Sequence, residues 1–353
     1  MINSYIESDI IEICERLGTT ADLLAGKTVI LSGGRGFLGR YFSETILQLN
    51  ATLLAEPCSL ILIDNLITAG KLGRQEFEQE YVKFIEHDII QPFAFEDHVD
   101  YVIHAAGIAS PFHYRAFPLK ALDVAVLGGR HMLELARSNN ARYTFFSSSE
   151  IYGDPDPAHI PIQESYRGNV ASQGPRACYD ESKRLGETLC YIYHNTYGVP
   201  TNIIRPFNVY GPGMQETDYR VLPNFAKQIK IQQPLHVYGT GNQTRTFCYV
   251  TDAMVGFLST ILRGVPGETY NIGNPKPEVS ILDLVEHIQG VLDSQLECNI
   301  TEHPDSYPAD EPNRRCPDIR KAQIQLDYHP TVELPDGLRR FLAWTDEAYS
   351  IEI

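Results

Sequence analysis

Tyr179 and Lys183 are spaced as Tyr-x-x-x-Lys in a stretch that reads as helix, which places the phenol and the ammonium on one face, one turn apart. A tyrosine with an ordinary pKa of about 10 is a poor base near neutrality, but a neighbouring ammonium stabilises its phenolate. Such a pair can take the proton of a sugar hydroxyl while a nicotinamide takes the hydride. In a chain with 20 tyrosines the spacing alone carries little weight. It gains weight from the upstream run Ser147-Ser148-Ser149-Glu150-Ile151-Tyr152-Gly153. Ser148 can hold the hydroxyl being oxidised, and Glu150 brings a second proton-transfer group beside it; a serine-rich turn with a solvated glutamate is the competing reading.

A second constellation lies nearer the start of the chain. The apolar run Lys27 to Ser32 leads straight into Gly33-Gly34-Arg35-Gly36-Phe37-Leu38-Gly39, with a helix expected after it. Glycines at 33, 36 and 39 allow a tight turn, close approach of backbone to a pyrophosphate, and close packing of helix on strand. Amides at the helix start, around Phe37 and Leu38, supply positive potential for phosphates. Asp64, with Asn65 beside it, ends the next apolar run; its carboxylate suits the two ribose hydroxyls of an adenosine and would repel a 2′-phosphate, so NAD is expected rather than NADP. Asp88 and Ile89 follow the third run and Ala105-Ala106-Gly107 the fourth, where the adenine and nicotinamide halves of the cofactor would lie. His104, inside an apolar run, reads as a satisfied core histidine.

These groups need a scaffold. Runs at Lys27–Ser32, Ser59–Asp64, Tyr81–Glu86, Tyr101–Ala106 and Tyr143–Ser148 alternate with helical periods such as Leu119–Ser138. Continuously apolar strands between helices predict an α/β protein: a Rossmann-type, doubly wound parallel sheet with ligands at the carboxyl ends of its strands. From about Pro206 onward the chain is richer in Pro, Gly and polar turns, with helical patterns near Pro223–Ile231, Asp252–Arg263, Ile281–Asp293 and Pro335–Tyr349. The expected division is a helical extension over residues 1–26, an NAD-binding domain over 27–205, and a smaller α/β substrate domain over 206–353, with some exchange of segments between the two. In the extension, Ile10, Ile13, Cys14 and Leu17 fall at helical spacing behind Ser8 as N-cap, with Gly18 as a stop.

Composition narrows the partners. With 353 residues, 43% hydrophobic and 21% charged, the chain can bury a sizeable core. A net charge of −16 disfavours nucleic acid as a partner. Seven scattered cysteines without a C-x-x-C pair suit a reducing compartment, and the acidic first 26 residues do not resemble a secretory signal, so a cytoplasmic protein with no membrane association is expected.

Together the glycine turn, Asp64-Asn65, Ser147–Gly153, Tyr179/Lys183 and Arg205-Pro206-Phe207-Asn208-Val209-Tyr210-Gly211-Pro212-Gly213 resemble the extended short-chain dehydrogenase/reductases that act on nucleotide sugars. The resemblance covers nearly everything after residue 26 and implies the Rossmann fold and NAD. It narrows to the UDP-glucuronate decarboxylases through Ala109-Ser110-Pro111-x-x-Tyr114, Ser149–Pro155, Gly174-Pro175-Arg176-Ala177-Cys178-Tyr179-Asp180-Glu181 and Gln243-Thr244-Arg245-Thr246-Phe247-x-Tyr249-Val250. Carried over, it makes Tyr179 the base for a C4 hydroxyl, Lys183 its modulator and Ser148 its hydrogen-bond partner. Ser149 and Glu150 serve proton transfer around C5, and Arg245 touches the substrate. Asn208, Arg220 and Arg315 hold the nucleotide or its diphosphate, and Ser110, Pro111, Tyr114, Arg176, Val221 and Tyr238 complete the substrate site.

The chemistry then implied needs no metal: oxidation at C4 turns a hexuronate into a β-keto acid, which loses CO2. A 4,6-dehydratase would carry Asp-Glu at Ser149-Glu150, and a 4-epimerase would not need Glu150. An NAD-dependent epimerase or dehydratase, and a protein that binds NAD and a nucleotide sugar without turnover, remain the alternatives. The chain departs from the decarboxylase pattern at Gly213, where arginine is usual, at Ala125, where asparagine is usual, and in a longer Tyr307–Arg315 stretch. The family also implies a homodimer through the helices near Leu119–Ser138 and Arg176–Tyr197.

Overall fold

A computed structural model describes residues 4–75, 79–302 and 312–350, so of the Tyr307–Arg315 stretch only 312–315 fall among the described residues. The first helix, α1, runs Ser4–Leu17 and buries Ile10, Ile13, Cys14 and Leu17, the face its periodicity predicts. Ser8 is not its N-cap. The helix starts a turn earlier, and the Ser8 hydroxyl donates to the Tyr5 carbonyl at 2.9 Å.

Six strands follow in order: β1 Thr28–Ser32, β2 Ser59–Asp64, β3 Val82–Glu86, β4 Tyr101–His104, β5 Arg142–Phe146 and β6 Thr201–Pro206. A later strand, Thr269–Ile272, returns to pair with β6, giving a seven-stranded sheet in the order Thr269–Ile272, β6, β5, β4, β1, β2, β3. All its pairings are parallel. Both faces are covered, as the unbroken apolar runs require. Val29, Leu31, Leu60 and Leu62 pack with Phe42, Ile46 and Leu49 of α2 (Phe37–Thr52) on one side. Ile30, Ile61, Ile63 and Val102 pack with Met132 and Leu133 on the other.

The chain moves outward from β1 through β3 and then comes back to lay β4 on the other side of β1. The carboxyl ends of β1 and β4 therefore diverge into a crevice, the ligand position of such sheets. Gly33 begins the turn above β1 with φ +80°, and a Cβ there would stand 2.7 Å from the Ala106 Cα. Gly39 allows the turn to close, since its Cβ would meet the Gly33 carbonyl at 2.4 Å.

The expected helix Leu119–Ser138 is interrupted. Pro118–Asp123 passes through a π-helical turn at Val124–Gly128 into Gly129–Asn139. His104 is fully buried against this turn, with Nδ1 2.7 Å from the Ser32 hydroxyl and Nε2 3.0 Å from the Val124 carbonyl; burial pushes its pKa down to about 3, the core histidine expected. Helices Val221–Lys230, Ile281–Leu292 and Leu334–Ala348 match the later periodicities to within a few residues. Helix Val250–Arg263 is buried along nearly its whole length between the sheet and α1. Among the described residues no helix is long and apolar enough to cross a membrane.

Candidate active site

Gly33, Gly36, Phe37, Leu38, Gly39, Asp64, Asn65, Ile89, Ala105, Ala106 and Gly107 line one cleft at the crevice between β1 and β4. Asp64 is fixed by two backbone amides, Arg35 N to Oδ2 at 2.9 Å and Leu66 N to Oδ1 at 2.8 Å, and burial pushes its pKa up. Asp88 does not reach the cleft wall: it accepts from the Ile90 amide and lies 3.8 Å from Lys120. These residues fit a dinucleotide. The first turn of α2 leaves amides without acceptors in the helix, and Gly36 keeps the approach open, since only the Gly33 carbonyl, at 3.5 Å, stands near its missing Cβ.

The cleft also has a roof, of which the sequence reading named only Arg220, as a substrate contact. Met214, Gln215, Thr217, Asp218 and Arg220 come from the later part of the chain to line it. Gln215 donates to the Thr68 carbonyl at 2.7 Å, and Arg40 of α2 to the Gly213 carbonyl at 2.8 Å. The departure at Gly213 marks this spot, because its φ of +99° is a conformation that a residue with a side chain rarely adopts.

Sharing Ala109, Met214 and Arg220 with the first cleft, a second pocket is lined by Tyr179, Glu150, Arg176, Asn208, Arg245, Arg315, Pro111, Tyr114, Val221 and Tyr238. Nine of the ten expected substrate positions line this pocket; Ser110 instead faces the dinucleotide cleft. Asn208 is oriented by a 2.8 Å bond from Nδ2 to the Thr246 carbonyl, and Arg220 pairs with Asp218. Tyr210, Tyr219, Phe225, His236, Gln243 and Phe247 also line it. Gln243 and Phe247 were visible as motif neighbours of Arg245, and Tyr210 as part of the Arg205–Gly213 motif, whereas Tyr219, Phe225 and His236 carried no local signal. Tyr219 stacks on Phe112 with centroids 5.6 Å apart.

Tyr179 sits in the first turn of helix Ala177–Tyr197, stacked on Tyr114 and hydrogen-bonded to Ser148. Burial pushes its phenol up to about 12, opposed by the Ser148 hydrogen bond and reinforced by the Glu150 charge. The Lys183 ammonium donates to the Phe146 carbonyl at 2.8 Å and lies over the Tyr179 ring, 5.7 Å from its centroid, and burial pulls its own pKa down to about 8. A phenolate cut off from water is costly unless a charge faces its oxygen. Lys183 also lines neither pocket wall, although it closes against Gly107, whose Cβ would stand 3.0 Å from Nζ.

Glu150 is neither solvated nor free. Arg315 binds it through both Nη atoms, Nη2 at 2.8 Å, and Arg176 binds it through Nη2. With Arg245 adding a third positive charge, the carboxyl is held well below the usual carboxylate range despite its burial. In this state Glu150 accepts hydrogen bonds and cannot donate a proton. Arg245 is anchored by the carbonyls of Thr244 at 2.8 Å and Pro312 at 2.7 Å. Ser149 is buried and lines neither pocket.

Not every arginine of the second half faces the cleft. Arg205 is bound to Glu187 through Nε and Nη2 and to the Tyr152 hydroxyl, while Ser147 donates to Glu187 at 2.5 Å, so this network braces the 147–152 turn from behind. Arg314 pairs with Glu278 near the surface. Among the described residues, no group of three or more His, Cys, Asp or Glu is placed to hold a metal ion.

A doubly wound sheet with a glycine turn at its switch point and a Ser/Tyr/Lys set beside the cleft defines a dinucleotide-dependent redox protein. The model of the NAD dependent epimerase/dehydratase family matches residues 29–273, so the chain belongs to that family and NAD is its cofactor. It is 38% identical over 320 residues to UDP-glucuronic acid decarboxylase 1 of Arabidopsis thaliana, covering 89% of this chain and 69% of that protein. UDP-glucuronic acid decarboxylase 1 of Xenopus tropicalis is likewise 38% identical over 320 residues, covering 89% and 71%. Among solved structures, an epimerase of Methanothermobacter thermautotrophicus superposes with a TM-score of 0.79 at 28% identity over 94% of this chain and 96% of the other. The UDP-glucuronic acid 4-epimerase of Bacillus cereus, in complex with UDP-glucuronic acid and NAD, does so at 0.76 and 25% over 91% and 100%.

Proposed function

We propose that this protein is an NAD-dependent carboxy-lyase that converts UDP-glucuronate to UDP-xylose or its 4-keto-pentose. One observation carries the reading. In a chain of net charge −16, four arginines, Arg176, Arg220, Arg245 and Arg315, line a single pocket with Tyr179 and Glu150. That is the arrangement for an anionic sugar nucleotide presented to a proton-transfer group. The two relatives named as UDP-glucuronic acid decarboxylases support the substrate.

Gly33, Gly36, Phe37, Leu38, Gly39, Asp64 and Asn65 hold the adenosine and pyrophosphate side of NAD, and Ala105–Gly107 with Lys183 hold its nicotinamide side. NAD supplies the hydride acceptor for C4. Tyr179, with Ser148, takes the proton of the C4 hydroxyl, and Lys183 sets the local positive potential. The resulting β-keto acid loses CO2 because the electron pair of the C5–C6 bond passes into the C4 ketone, and Glu150 with Ser149 serves reprotonation at C5. Arg245 and Arg315 bear on the substrate's negative charges.

Residues 27–205 form the cofactor domain and 206–353 the substrate domain in this reading, with Thr269–Ile272 exchanged into the central sheet. The working form is a cytoplasmic homodimer that binds neither nucleic acid nor membrane. The exposed apolar side chains Leu119, Leu127, Leu185, Tyr191 and Ile192, on the two helices expected at the interface, support the dimer. Incubation with UDP-glucuronate and NAD, followed by assay of CO2 and of the sugar nucleotide, tests the activity. A product keeping all six sugar carbons would make the protein an epimerase or dehydratase instead.

A further inference from the structure

Decarboxylation of a uronate consumes a proton. The substrate loses a carboxylate as neutral CO2, and the new C5–H bond takes one proton from outside the sugar. The C4 hydroxyl proton held by Tyr179 does not serve, since it is needed when the C4 ketone is reduced again. The decarboxylase reading gives the C5 proton to Glu150, yet Arg176 and Arg315 bind its carboxylate and, with Arg245, keep it ionised.

Charge counting around Glu150 shows how it could be loaded. Its own −1 faces Arg176 from the residue before helix Ala177–Tyr197, Arg245 from strand Thr244–Thr246 and Arg315 from strand Arg314–Arg315, a local excess of two positive charges. Tyr179 faces it uncharged, and Asp180 stands behind Arg176 at 3.8 Å from Nε. Arg176 and Arg315 are both buried, so they have few partners to choose between. A diphosphate and a carboxylate bring three negative charges to the same arginines, which converts the excess, two before Asp180 is counted and one after, into a deficit.

We propose that Glu150 is a placeholder anion for the sugar nucleotide: the ligand takes over its arginine partners, and Glu150 picks up from solvent, at the binding step, the proton it later delivers to C5. This rests on the decarboxylase reading. The balance is closed. Glu150 as a carboxylate gains one proton on binding. When the C5–C6 bond of the keto acid breaks, CO2 leaves with the two carboxylate oxygens, the freed electron pair returns from the C4 enolate to form the C5–H bond with the Glu150 proton, and the carboxylate goes back to Arg176 and Arg315. Neutralising Glu150 also removes the charge that opposes ionisation of Tyr179, so one event prepares both proton-transfer groups.

By linkage, if binding loads a proton on Glu150, then removing the Glu150 charge must tighten binding. The test is titration calorimetry of the Tyr179→Phe holoenzyme with UDP-glucuronate at neutral pH, in buffers of different ionisation enthalpy. The expected result is uptake of up to about one proton per site. Adding Glu150→Gln should abolish the uptake and tighten binding about tenfold. Buffer-independent heats, or uptake unchanged by Glu150→Gln, would overturn the proposal. The buffer series on the Glu150-containing protein decides the matter even if the glutamine variant folds poorly. Release of CO2 by the unmodified enzyme, together with binding that takes up no proton, would sink this inference while leaving the activity intact; no release of CO2 would overturn both.

Discussion

Asp9 and Glu150 are both carboxylates withdrawn from water, and their surroundings drive them in opposite directions. Asp9 of α1 is fully buried, accepting from the hydroxyls of Tyr41 at 2.9 Å and Tyr249 at 3.0 Å with Arg340 at 3.4 Å, and burial pushes its pKa up to about 6. Glu150 meets three guanidiniums and is held well below the usual carboxylate range. Two neutral hydroxyls and one guanidinium that is shared with Glu12 do not offset the lost hydration of Asp9, whereas three guanidiniums around Glu150 do. Asp9 ties α1 to α2 and to the later part of the chain, helped by Glu12 with Arg340 and Arg16 with Asp252. It is a clasp for the extension. Glu150 stands in a pocket where its cations can be drawn off, which is what a reactive group requires.

Substitution should separate the two most sharply at the level of rate. Tyr179→Phe and Glu150→Gln should each slow CO2 release by about 10²- to 10⁴-fold, while Asp9→Asn leaves it within about twofold. Stability should separate them next. Arg315→Gln leaves Glu150 less well paired and should cost about 3–5 kcal/mol in denaturant unfolding, against about 1–3 kcal/mol for Asp9→Ala, which strips the acceptor from two buried hydroxyls.

The pH dependence of unfolding sharpens the contrast, since the signs oppose. Asp9 binds its proton more tightly folded than unfolded, so its contribution falls as pH rises from its ordinary 3.8 towards about 6, by about 3 kcal/mol, and Asp9→Asn should remove that slope. Glu150 is depressed when folded, so its contribution is full above its ordinary 4.5 and is lost as pH falls below it. The smallest effect belongs to a surface pair. Arg339→Ala, opposite Asp336 with both side chains more than half exposed, should change the unfolding free energy by less than about 0.5 kcal/mol.

What could be read from the chain follows from how local each feature is. The glycine turn, Asp64 at the end of β2 and Tyr179 with Lys183 each sit within a short segment, and their placement in a sheet is dictated by the apolar runs. The setting of Glu150 was not legible in the same way. Its partners Arg176, Arg245 and Arg315 come from separate stretches, and only folding shows that they converge on its carboxylate. Asp9 looked like one acid among five on a polar extension, because Tyr41 and Tyr249 lie far along the chain. The π-helical turn at Val124–Gly128 was hidden because a break of one residue hardly disturbs the helical period over Leu119–Ser138.

The most direct test is mass spectrometry of the sugar nucleotide after UDP-glucuronate is incubated with the protein and NAD. A UDP-pentose or UDP-4-keto-pentose, formed with an equal amount of CO2, is the predicted result; a uronate recovered with all of its carbons, whether unchanged or epimerised, would contradict it.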